Sequence, residues 1–120
     1  MDVRDYPKEI EALSLELAEA TSDLAAVREQ MEVEEMETLS TILHARDEAG
    51  KPLYGNDKAR DIARHRALRD SDTYRQYQLM ERGLEARKAA IAAKLERLRK
   101  EFSIALLEFE ATQLGRRSAA

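Results

Sequence analysis

Between Tyr74 and Phe109, apolar side chains recur in steps of three and four residues. Two interleaved heptad tracks result: Tyr77, Leu84, Ile91, Leu98, Ala105 and Thr112 in one, and Tyr74, Glu81, Lys88, Leu95, Phe102 and Phe109 in the other. Such spacing keeps one stripe of a helix facing a partner helix, so it predicts a long coiled-coil helix. A second run, Ile10, Leu13, Leu17, Ala20, Leu24, Val27 and Met31, has the same period. After Met31 the pattern slips by four, moving the stripe to Glu35, Leu39, Ile42 and Arg46 in place of Glu34, Thr38 and Thr41. That stutter unwinds a supercoil locally.

Capping and breaking residues bound three helices. Asp5 and Pro7 suit a cap and a first turn, which opens a helix over about 8–49. Gly50 in the left-handed C′ position and Pro52 just beyond would end it at Ala49. Asn56 is a good N-cap for a short helix over 57–69, and Asp70, Ser71 and Asp72 interrupt the pattern before a last helix over 72–114. Gly115 is expected to stop that helix and leave 115–120 as a frayed tail.

The two long helices have nearly equal expected lengths, which suggests a hairpin. Folding them antiparallel so that paired numbers sum to 122 levels Ile10 with Thr112, Leu13 with Phe109, Leu17 with Ala105, Ala20 with Phe102 and Leu24 with Leu98. Every layer then sets an a position against a d position, and bulky Phe102 faces small Ala20. Past the stutter the sum becomes 123, so that Glu35 meets Lys88 and Ile42 meets Glu81. The expected fold is therefore all-α: one helical domain over 1–120, a long antiparallel coiled-coil hairpin with a short helix at the bend. One stripe per helix makes a thin core, and Leu15, Ile104, Leu106 and Leu107 lie off the seam. The 122 pairing places Leu15 level with Leu107, a patch that homodimerisation into a four-helix bundle would cover.

Composition reinforces the helical reading. Charged residues make up 37% and aromatic residues 5%, with no Cys or Trp, which is the profile of long helices and leaves no disulfide framework. No apolar run is long enough to span a bilayer and residues 1–8 carry no apolar signal core, so a cytoplasmic protein without a membrane partner is expected. The net charge of −4 hides an asymmetry, because residues 1–50 hold 14 acidic and 4 basic side chains while residues 51–120 hold 10 and 16. Oppositely charged helices favour each other, and a basic half also suits nucleic acid.

The basic short helix is the best candidate for binding. Lys58, Arg60, Arg64, Arg66 and Arg69 stand against Asp57 and Asp61, with Tyr54 nearby for stacking on a base. A phosphate-binding tip is one reading of these cations. The other, which the six acids within residues 32–48 favour, is a basic clamp on the acidic end of the first helix around Glu34 to Glu48. Catalysis finds no such candidate. His44 and Glu48 have ligand-like spacing without a third ligand, His65 lies between two arginines without a nucleophile, and Glu32, Glu34, Glu35 and Glu37 read as a solvated acidic face. No enzyme activity, metal or cofactor is expected.

Tyr54-Gly-Asn-Asp-Lys-Ala-Arg60, the polar break ending in Asp72-Thr-Tyr74, and the stretch Lys94 to Phe102 resemble small helical-hairpin proteins of phages and prophages. The resemblance covers residues 54–109 and implies an accessory role in the DNA metabolism of a mobile element. Two expectations of function follow. One is a non-catalytic coiled-coil protein that self-associates and binds another macromolecule, a protein partner first of all. The alternative is a nucleic-acid-binding accessory protein of a mobile element.

Overall fold

The computed structural model describes residues 1–119, which form three helices: α1 (Tyr6–His44), α2 (Asp57–Asp70) and α3 (Asp72–Ala119). Local chemistry sets each start. The Asp5 carbonyl accepts the first helical bond of α1 from the Glu9 N–H at 3.2 Å. At α2 the Asn56 side chain accepts from the Ala59 N–H at 2.8 Å, satisfying a donor that has no partner within the helix. Ser71 serves two helices at once: its N–H donates back to the Leu68 carbonyl at 3.2 Å, and its hydroxyl oxygen accepts from the Tyr74 N–H at 3.2 Å.

Two expected helix ends are corrected. The first helix stops at His44, not Ala49. Asp47 explains the early stop: its carboxylate accepts from the N–H groups of Ala49 and Lys51, both at 2.9 Å, offering the backbone a turn that competes with the helix. Arg46 leaves the stripe and donates to the carbonyls of Leu43 and Ala45 at 3.0 and 3.2 Å, while its backbone bridges to Pro52. Gly50, at φ 78°, completes this turn instead of capping the helix directly. The second correction is at Gly115, which lies inside α3 with no positive φ. A helical glycine costs only about 1 kcal/mol relative to alanine, and Arg116 and Arg117 in the last turn favour the helix dipole. The tail expected for 115–120 is thus helical through 119, and residue 120 lies outside the described residues.

By internal contacts the chain divides into two units: Met1–Ser22 with the chain from Glu85 onward, and Asp23–Leu84. In the first, the rings of Tyr6 and Phe102 pack with centroids 5.4 Å apart. The two numbers sum to 108, so the expected register of 122 is off by 14 residues, about 21 Å of helix. Phe102 packs on Tyr6 rather than on Ala20. The new register levels Ile10 with Leu98, Leu13 with Leu95, Leu17 with Ile91 and Ala20 with Lys88, and each of these side chains is buried or half-buried.

The second unit carries its own markers of register. Arg28 Nε donates to Glu81 Oε2 at 3.1 Å, and the Tyr74 hydroxyl donates to Glu35 Oε1 at 2.6 Å. Both pairs sum to 109 and run antiparallel, replacing the expected meetings of Glu81 with Ile42 and of Glu35 with Lys88. Around the stutter Glu34, Glu35, Thr38 and Leu39 are all half-buried, as though both heptad phases share the interface there. Beyond Glu35 the last turns of α1 pass the start of α3, and α2 takes over as their neighbour. Leu39 and Leu43 accordingly line one cavity with Asp57, Lys58, Arg60 and Asp61.

Candidate interaction surfaces

α2 is a highly charged helix with no buried residue, and Ala59, Arg60, Ala63, Arg64 and Leu68 are half-buried. Most of its cations are bonded within their own helix. Arg60 donates to Asp57 at 2.9 Å and Arg64 to Asp61 at 3.2 Å, each one turn back, while Arg69 reaches Asp70 at 3.3 Å. Arg75 repeats the device on α3 with Asp72 at 3.2 Å. The expected clamp onto Glu34 to Glu48 does not form: among the described residues no ion pair joins α2 to α1. Aspartates three residues before Arg60 and Arg64 supply a nearer partner at lower side-chain entropy. Lys58 and Arg66 form no ion pair among the described residues, and with Ile62, His65 and Arg69 they line one outward dent of α2.

Tyr54 is half-buried, and its carbonyl accepts from Arg60 Nε at 3.3 Å, which folds the linker back on the start of α2. His65 sits on that helix with Nδ1 donating to the Asp61 carbonyl at 2.8 Å, and His44 does the same to Ser40 at 2.7 Å. Among the described residues no group of three or more His, Asp or Glu side chains converges as a metal site would need. Among the described residues no helix is long and apolar enough to cross a membrane.

Tyr74 was legible as a seam position but not as a polar anchor. It is buried at 8% exposure beside Glu35, Arg64, His65, Leu68, Arg69, Arg75 and Gln78, which line a cavity of about 560 Å³. Burial pushes its phenol up from 10.0 to about 12, helped by the hydrogen bond to Glu35 and the charges of Glu35 and Glu81, with Arg64 opposing. A phenol held protonated beside a carboxylate is a good donor to it. A Tyr on one helix and a Glu on the other were both visible in the sequence, but only the correct register brings them together.

The apolar candidates separate. Leu15 is 66% exposed in the first unit, where the 108 register levels it with Ala93, about 21 Å along α3 from Leu107. The expected Leu15–Leu107 patch is therefore absent. Ile104, Leu106 and Leu107 do share one stretch of α3, exposed at 56%, 37% and 66%, and Phe109 and Leu114 extend it at 44% and 62%. The seam itself is covered only as far as Ala105, since Phe109 and Thr112 are exposed.

No protein-family model, curated protein or solved structure matches the chain.

Proposed function

We propose that this chain is a non-catalytic coiled-coil module that self-associates and binds another macromolecule. The observation that carries the reading is the balance of apolar surface. Among the described residues eight hydrophobic side chains are buried, whereas fourteen large ones are exposed, five of them in one stretch of α3 between Ile104 and Leu114. Ile104, Leu107 and Leu114 share one face of that stretch, and an apolar face of that kind on a helix is costly in water unless something covers it. Sedimentation equilibrium of the full chain at micromolar concentration tests this directly. Self-association is expected, and Leu107→Glu should weaken it while helicity by circular dichroism stays unchanged. A chain that remains monomeric up to several hundred micromolar, on the order of the weakest specific association, removes the reading.

A second reading has one observation in its favour. Lys58 and Arg66, without ion pairs among the described residues, line one outward dent of α2 with Arg69, beside the carboxylate of Asp61. That face suits a nonspecific phosphate contact to nucleic acid, as an accessory protein of a mobile element would make. It is the weaker reading, because three of the five cations are already neutralised by neighbouring aspartates.

A further inference from the structure

The exposed end of α3 carries more than apolar surface; it carries a charge pattern that selects a partner and an orientation. Ile104, Leu107, Ala111, Leu114 and Ser118 recur in steps of three, four, three and four, a new heptad stripe distinct from the intramolecular seam. All five are exposed. In heptad terms Leu107 and Leu114 take d positions and Ala111 and Ser118 take a positions. Glu110 and Arg117 both fall at g, the flank that faces its own kind across an antiparallel pair. Neither forms an ion pair among the described residues.

We propose that two copies of the chain join through residues 107–118 of α3, antiparallel about a two-fold axis, with Glu110 of each copy paired to Arg117 of the other. This rests on the self-association proposed above and names its site and geometry. An antiparallel pair sets a against d, and in the register with Ala111 against Leu114 of the second copy Leu107 stands against Ser118. In that register the g positions that meet are 110 and 117, so symmetry makes the same ion pair twice. Glu108, at e, meets Gly115 and encounters no like charge. The small side chains at 111, 115 and 118 allow the two helices to approach closely.

The competing arrangements lack this match. Two copies side by side and parallel would set g against e of the next heptad, bringing Glu110 to Gly115 and Ser103 to Glu108, with no pair of opposite charges. An antiparallel contact along the continued seam, Phe109 against Thr112, would set Glu108 against Gly115 at the flank, again with none. The same stripe shifted by one heptad, Leu107 against Ala111, would set Glu110 against Glu110, so among these arrangements the register with Ala111 against Leu114 alone brings opposite charges together. The contact is one stripe of a short helical segment, below the size of a standard interface, so the association belongs in the weak, micromolar range or above.

Charge reversal tests the geometry. At low salt, sedimentation equilibrium of the full chain should show association weakened about five- to tenfold by Glu110→Arg and equally by Arg117→Glu, because each change turns both symmetric pairs repulsive. The double variant E110R/R117E should recover wild-type association, and added salt should flatten all these differences. Both positions are exposed, so circular dichroism should show each variant fully helical. Association that ignores the single reversals, or that the double reversal fails to restore, overturns this geometry while self-association stands. A wild-type chain that is monomeric throughout overturns both.

Discussion

At the scale of single residues, Tyr74 bears the most specific interaction in the second unit. Its hydroxyl donates to the half-buried Glu35 carboxylate at 2.6 Å, and a hydrogen bond to a charged group contributes more than one between neutral partners. Tyr74→Phe should therefore cost about 1.5–3 kcal/mol, read from the urea midpoint at constant slope, because it leaves the carboxylate half-buried without its donor. Glu35→Gln keeps an acceptor and should cost less. The pH dependence follows from the raised phenol. Its folded value, about 12, lies above the unfolded 10.0, so the folded state holds the proton more tightly. The stabilisation is fully present below pH 10 and is lost as pH rises toward 12. In Tyr74→Phe the highest step of the tyrosinate absorbance titration should vanish; its survival would place the raised phenol elsewhere.

At the scale of elements, the helices and their buried stripes were legible while their register was not. Ile10 through Met31 and Tyr74 through Ala105 are covered as the heptads require, because periodicity is a local property of each helix. Register is a relation between helices, and sliding by 14 residues keeps every a against a d, so the seam alone cannot distinguish the sums 122 and 108. The inferred equal lengths chose wrongly, since Asp47 ends α1 early and Gly115 does not end α3. Polar residues held the missing information: Arg28 meets Glu81 and Glu35 meets Tyr74 at a sum of 109, which is 14 below the 123 expected past the stutter. Cysteine pairs can read the register because the chain has no Cys of its own. Ile10→Cys with Leu98→Cys should close a disulfide on mild oxidation, seen as a shift on a non-reducing gel. Ile10→Cys with Thr112→Cys should stay reduced within the monomer, since about 21 Å separates the levels and a disulfide requires Cα atoms within about 7 Å. The reverse result would restore the longer sum.

At the scale of the whole molecule, charge decides between the two proposed surfaces. The chain carries a net −4, and the basic excess of residues 51–120 is real in sequence but largely spent locally in structure. Arg60, Arg64 and Arg69 each bond a neighbouring aspartate, a fact the residue counts could not show because they ignore which carboxylate lies within one turn. The salt dependence of DNA binding therefore measures how many cations of α2 are available. Each phosphate neutralised contributes about −0.9 to the slope of log K against log salt on duplex DNA. With Lys58 and Arg66 alone engaged the slope should be about −2, whereas all five cations would give about −4.5. We expect weak binding confined to low salt, a slope near the smaller value, and its loss on Lys58→Ala combined with Arg66→Ala. A slope near the larger value would mean that DNA displaces the aspartates from their arginines and that the basic helix, not the apolar end of α3, is the working surface. An absence of binding at the lowest salt would leave α3 as the surface to pursue, because α2 would then have shown that its remaining two cations cannot overcome the field of an acidic chain.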